Sequence, residues 1–278
     1  MKNILSFDVG TTAMKCIVYD SDFKELFYSN KEYNLNTKNE GIAELDAEVY
    51  FNTFLNSIND ISEYGINLTD IGSIVFTTQG ETLIPVDKNG NALSPAIVWL
   101  DTRAADEAAY IKSRIDRQQM YSTTGLCDID GALPAAKILW LSKNQSEIYN
   151  NTYKILLLED YLIYRLTGKF VSEKSLQSST GWYDIVNDRI YEDMLKTCNI
   201  PAEKLPDILP CGTVVGTVHK EFGFAKDTVV VTGAMDQISS AVTNVLYSLP
   251  SGRNSFNILL AGLSTIPDFT LGAMVCDV

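Results

Sequence analysis

Four short stretches of this sequence carry side chains that could do chemistry. In Asp8-Val9-Gly10-Thr11-Thr12-Ala13-Met14-Lys15 a carboxylate ends an apolar run, a Gly turn follows, and two hydroxyls and a lysine come next. Backbone N–H groups in such a turn make an anion nest, the threonines add donors, and Asp8 suits a hydrated Mg2+. Read alone, the stretch also fits a plain hairpin turn with a surface lysine. It is not a P-loop, because G-x-x-x-x-G-K-[ST] is absent. Gly233-Ala234-Met235-Asp236-Gln237 follows a β-branched run and sets a carboxylate at a strand's carboxyl end, where α/β sheets bind ligands. Asp236 there either takes a proton from a substrate hydroxyl or caps a helix. Gln79-Gly80-Glu81-Thr82 lies between two apolar runs. Its Glu and Gln suit sugar hydroxyls, although an ordinary connecting loop has the same composition. Nearby, Trp99 offers an apolar wall, and Asp101 with Arg103 reads as a structural ion pair.

These stretches need elements to hold them. Ile4 to Asp8, the alternating run through Cys16 and Val18, and Glu25 to Tyr33 predict an antiparallel meander with the Gly/Thr turn at its first tip. Asp46 caps a helix whose face carries Tyr50, Phe54, Ile58 and Ile61 and which stops near Gly65. Its aromatic residues read as core. Ile71 to Thr77 is a strand leading into the Gln79 loop. Leu83 to Val86 and Ala96 to Leu100 flank a turn at Asp87-Lys88-Asn89-Gly90-Asn91. Thr102 to Arg114 and Pro134 to Lys143 are helical, the second with Pro in its first turn. Tyr153 to Leu158 feeds a helix from Asp160 to Leu166 that Gly168 ends, and Val229 to Thr232 is the strand that delivers Asp236. Strands and helices alternate after an antiparallel start, which predicts an α/β domain on a mixed sheet flanked by helices.

Composition narrows the function. In 278 residues, 22 Lys+Arg stand against 35 Asp+Glu, for a net charge of −13. Such a chain repels nucleic acid and anionic membranes, so neither is expected as a partner, and a basic pocket for one nucleotide can only be local. With 46% hydrophobic and 21% charged residues it is not disordered. The single histidine, His219, excludes multi-histidine metal sites and reads as a surface or turn residue. Five widely spaced cysteines without C-x-x-C fit reduced thiols in the cytoplasm. Asp8 arrives too early for a signal peptide, and the apolar run from Phe256 to Val275 is broken by Pro267, Ser264 and Thr265. From Leu249 to Val278 the only charges are Arg253, Asp268 and Asp277, so this end reads as a separate piece. The domains expected are therefore 1–245 and 246–278.

Taken together and in order, these segments resemble the FGGY family of carbohydrate kinases. Asp8 to Lys15 looks like the family's first phosphate loop, and Gly41 to Asp46 resembles its G-x-x-E-x-D segment. Gln79 to Thr82 falls at its sugar-contacting loop, and Trp99 to Ala104 is close to W-x-D-x-R. Pro134 to Leu141 matches the first family signature, and Leu166-Thr167-Gly168 and Gly233 to Gln237 follow in register. The resemblance implies an actin-like, ribonuclease-H-like ATPase fold and ATP-dependent phosphorylation of a sugar or polyol hydroxyl, with Mg2+. It implies Asp236 as catalytic base and Thr11, Thr12, Ala13 and Lys15 around the ATP phosphates. Asp8 becomes the metal-facing carboxylate. Gly80, Glu81, Trp99, Asp236 and Gln237 fall around the sugar.

Four departures bear on the substrate. Glycerol kinases carry Arg where this chain has Gly80, and Tyr where it has Ala132. Xylulose kinases usually place Met-His at Gly80-Glu81, and Met235 is bulkier than the residue common before the base. A ketose, pentitol or related sugar is expected, in a xylulokinase-like enzyme. The alternative is a non-catalytic sugar-binding remnant of such a kinase. Family members are roughly twice this length, with a second domain of the same fold that completes the nucleotide site. Gly262-Leu263-Ser264-Thr265 is at best a faint echo of that domain's phosphate turn, so the 278 residues alone are expected to lack turnover. Their domain-facing surface is expected to be apolar and to favour a homodimer.

Overall fold

The computed structural model describes residues 2–37 and 40–241. The 246–278 piece, with Gly262 to Thr265, lies outside the described residues. The chain opens with β1 (Asn3–Val9), β2 (Ala13–Tyr19) and β3 (Glu25–Glu32), then β4 (Glu44–Leu45) and α1 (Ala47–Tyr64). It continues with β5 (Ile71–Thr78), β6 (Leu83–Val86), β7 (Ala96–Ile97), α2 (Ala105–Lys112), α3 (Arg117–Thr124), α4 (Pro134–Asn144) and α5 (Ser146–Asn151). Next come β8 (Lys154–Leu157), α6 (Leu158–Thr167), β9 (Val171–Glu173), α7 (Lys174–Ser178), β10 (Tyr183–Asp184), β11 (Arg189–Ile190) and α8 (Glu192–Cys198). The last are β12 (Asp207–Leu209), β13 (Val214–Thr217) and β14 (Val229–Met235).

The main sheet has six strands in the order β13-β14-β5-β1-β2-β3. β1, β5 and β14 run parallel, and the meander β1-β2-β3 and the β13-β14 pair are antiparallel, as a mixed sheet requires. Helix α1 forms where its spacing predicts. Asp46 accepts from Glu48 N–H (3.0 Å), and Gly65 closes the helix at φ 102. Its Tyr50 and Phe54 are fully buried, and Phe54 meets Phe7 of β1 at 5.0 Å between ring centroids. Each such ring contributes about 1.5–3 kcal/mol by leaving water. A smaller sheet, β4-β7-β6-β8, lies under a second core built on α2, α4 and α8.

Several boundaries differ from expectation. The Asp87 turn forms, with Asp87 accepting from Asn89 and Asn91 N–H and Gly90 at φ 75. The strand after it ends at Ile97, because Asp101 N–H turns back to the Val98 carbonyl (2.9 Å). Helix α2 starts at Ala105, since residues before it are held by the Asp101 carboxylate. β14 runs past Thr232 to Met235, through Gly233. Cys16, Cys198 and Cys211 are free thiols, and His219 is exposed. No helix among the described residues is long and apolar enough to cross a membrane.

Candidate functional site

Register brings the first carboxylates together. Asp8 is level with Thr77 of β5, and Thr77 is level with Ala234 of β14. The carboxyl ends of three parallel strands thus form one edge, with Asp8 on β1 and Asp236 just beyond β14.

The turn between β1 and β2 is braced from behind. Gly10 N–H donates to the Ala13 carbonyl (3.0 Å), and Tyr33 N–H donates to that of Thr12 (2.9 Å). The Tyr33 hydroxyl donates to the Gly10 carbonyl at 2.5 Å and lies 3.1 Å from that of Ala13. In a trans peptide the N–H points opposite to the C=O, so holding the Gly10 carbonyl on Tyr33 turns the Thr11 N–H away from it. Burial pushes the Tyr33 phenol well above its usual range, so it stays a donor at any working pH. Lys15, across the ladder from Asp8, bonds it at 2.8 Å, and that bond raises the lysine above its ordinary value.

The Gln79 loop is tight. Thr82 N–H bonds back to the Gly80 carbonyl (2.8 Å) across Glu81, which sits at φ 64. A side chain at such a φ is costly, and strain of this kind gathers at binding sites. Burial pushes the Glu81 carboxyl up to about 7; Lys137 opposes this, and Asp130 and Asp236 add to it. Lys137, on α4, is fully buried and donates to the carbonyls of Val98 (3.0 Å) and Glu81 (3.4 Å). Burial lowers it to about 8, against the pull of Glu81 and Asp101. A Cβ on Gly80 would lie 2.6 Å from the Met235 sulfur. The small residue at 80 and the bulky one at 235 therefore occupy one shared volume.

Trp99 ties the two loops. Its indole N–H donates to Thr11 Oγ (2.8 Å) and its backbone N–H to Thr82 Oγ (3.3 Å). The Asp101–Arg103 pair is structural, as read. Asp101 is fully buried and accepts from Ala43 N–H (2.7 Å) and twice from the Arg103 side chain (2.7 and 2.8 Å).

Asp236 stands both at the start of a helix and at the edge of a cleft. It heads the helical residues 236–241, accepting Gln237 N–H at 2.6 Å, and it lines a cleft of about 260 Å³. Burial raises its carboxyl above the ordinary aspartate range, the Gln237 N–H works against this, and the Asp8 charge adds to the rise. Such a group is a better proton acceptor than an exposed aspartate. Of the residues singled out in the sequence, Thr11, Gly80, Glu81, Trp99, Asp236 and Gln237 line the cleft. Asp8, Thr12, Ala13 and Lys15 stand on the neighbouring hairpin, outside the lining. Sequence reasoning missed the wall made by Thr124 to Leu126, Ser178 and Ser179, which no local pattern marks. It also missed Lys137 beneath Glu81, although a lysine amid Ala135, Ala136, Ile138 and Leu139 was the available signal.

The model of the N-terminal domain of the FGGY family of carbohydrate kinases matches residues 3–243. Xylulose kinase of Staphylococcus xylosus is 26% identical over 95% of this chain and 54% of its own length. Glycerol kinase of Agrobacterium fabrum is 29% identical over 88% and 50%. Among solved structures, ligand-bound xylulose kinase from Lactobacillus acidophilus superposes with a TM-score of 0.81 at 29% identity, over 87% of this chain and 50% of that one. The fold is thus the actin-like α/β fold of these kinases, and the chain spans about half the length of the relatives it matches.

Proposed function

Because the chain belongs to the FGGY family of carbohydrate kinases, we propose that it is the sugar-binding half of an ATP-dependent kinase acting on a ketose, pentitol or related polyol. The observation that carries this reading is one cleft lined by a lone strand-end carboxylate, Asp236, by Glu81 on its strained loop, by Trp99 and by Thr11 of the braced turn.

A sugar hydroxyl is a weak nucleophile, and Asp236 takes its proton as it attacks the terminal phosphorus of ATP, whose bond to the bridging oxygen breaks to release ADP. Glu81 and Gln237 accept and donate hydrogen bonds to the remaining hydroxyls, and Trp99 covers an apolar face of the ring. Thr11, Thr12, Ala13 and Lys15 present backbone N–H, hydroxyl and ammonium donors to the phosphates. The donor set also fits Mg2+, which keeps most of its waters and takes one or two carboxylates. Asp8 is a half-buried carboxylate at this edge, with one oxygen on Lys15. When bound, the ion neutralises phosphate charge. Residues 1–245 are assigned to this domain and 246–278 to the start of a second one, in a cytoplasmic enzyme.

Thermal-shift and calorimetric titration of the 278-residue chain against a panel of sugars and polyols tests the reading. Stabilisation by at least one ketose or pentitol is expected, and no response to any member refutes the sugar cleft. ADP release by this chain alone is expected to stay well below about 1 s⁻¹, the lower range for kinases, since water is not excluded from an open cleft.

A further inference from the structure

Behind the cleft, the end of β14 is held by acids that the proposed chemistry does not use. β14 pairs with β5 in register up to Val231–Val75 and resumes at Ala234–Thr77, so Thr232 and Gly233 stand opposite the single residue Phe76. This is a β-bulge, a device that re-aims a strand and removes one N–H from the ladder. Only glycine fits, because a Cβ at 233 would lie 1.6 Å from the Phe76 carbonyl oxygen. The freed Gly233 N–H donates to the Glu159 carboxyl at 2.6 Å. Two residues on, Met235 N–H donates to Ser175 Oγ at 2.9 Å. Ser175 Oγ in turn donates to Glu173 at 2.6 Å, and Glu173 also accepts from the Ser175 N–H (2.6 Å), the Leu176 N–H (2.5 Å) and the Cys211 thiol (2.7 Å). Glu159 and Glu173 are both fully buried.

We propose that Glu159 and Glu173 are positioning residues for Asp236, seating the bulged end of β14 so that its next carboxylate projects into the cleft. Two of the last three strand residues have their N–H fixed by this buried network, and Asp236 follows the second of them directly. A buried carboxyl left so deep is costly unless its bonds are needed, and here the bonds go to the backbone that carries the base. Burial, together with the Glu173 charge, holds Glu159 well above the usual carboxylate range, so it serves as a neutral acceptor that Gln reproduces. The inference rests on reading Asp236 as the base.

The test uses carboxyl-carbon NMR on the 278-residue chain, with the Asp236 signal assigned by its loss in Asp236→Asn. Glu159→Leu keeps the bulk and removes the acceptor. It is expected to lower the Asp236 titration midpoint by about half a pH unit or more, toward the ordinary value, and to speed Gly233 amide exchange about tenfold. Glu159→Gln is expected to restore both. Ser175→Ala loosens the Met235 side and should shift the midpoint likewise, which keeps the test open if Glu159→Leu does not fold. An Asp236 midpoint unmoved in either variant overturns the proposal, whatever the exchange rate does. No turnover is needed, so an Asp236→Asn enzyme with normal kcat would refute the base assignment separately.

Discussion

Replacing Glu81 by Gln should make the free protein more stable at neutral pH while weakening its hold on sugar. The buried Glu81 carboxyl is pushed up from 4.5 to about 7. The fold thus favours its protonated form. The corresponding stability is intact below pH 4.5, the unfolded value, and is lost as pH climbs through about 7. At about 1.4 kcal/mol per pH unit, the loss reaches about 3 kcal/mol as an upper figure, since water at the loop tip screens part of it. Gln carries no charge and escapes this loss. Both side chains sit on the same strained backbone, so the cost of φ 64 cancels between the two proteins. Burial lowers Lys137 to about 8, so it stays mostly protonated up to pH 7, where the comparison stops. Urea unfolding of both proteins at pH 4.5 and pH 7 reads the effect directly. The wild type should lose about 1–3 kcal/mol more than Glu81→Gln over that interval. In a third sample, Glu81→Ala should weaken sugar binding about tenfold or more, because a charged hydrogen bond contributes about 1.5–3 kcal/mol. Parallel stability profiles, agreeing within about 0.5 kcal/mol, would show that Glu81 is not the desolvated acid argued for.

Asp236→Asn, in a turnover-competent kinase carrying this domain, should reduce kcat by about 10²-fold or more while leaving sugar affinity nearly unchanged, as loss of a proton acceptor requires. Steady-state kinetics with calorimetry on the same variant checks both halves. Tyr33→Phe removes the hydroxyl that holds the Gly10 carbonyl, and should cost about 1–2 kcal/mol of stability and weaken nucleotide more than sugar. Equal effects on the two ligands would place the brace elsewhere.

Much of the frame was written in local chemistry. The period of Tyr50, Phe54, Ile58 and Ile61 with Asp46 and Gly65 at its ends dictates α1, since capping and one-sided burial act within a few turns. The meander, the strand before Gln79 and the Asp87 turn follow for the same reason. So did the candidate residues, because a carboxylate at a strand end, a Gly/Thr turn and a polar loop are each short-range patterns.

What needed the tertiary structure was everything set by distant partners. Asp236 stands at a helix start and also at the cleft, a placement that the register of β5 and β14 sets and that its own stretch does not. The role of Tyr33 depends on a contact across a hairpin, and that of Lys137 on a buried ammonium lying beneath a loop far away in sequence. Gly80 and Met235, which look like two unrelated departures from the family pattern, share one volume in space. The acidity of Glu81 belongs to neither its type nor its neighbours in the chain. Desolvation by the packed loop sets it, and solvent exclusion is a property that exists only once the chain has folded.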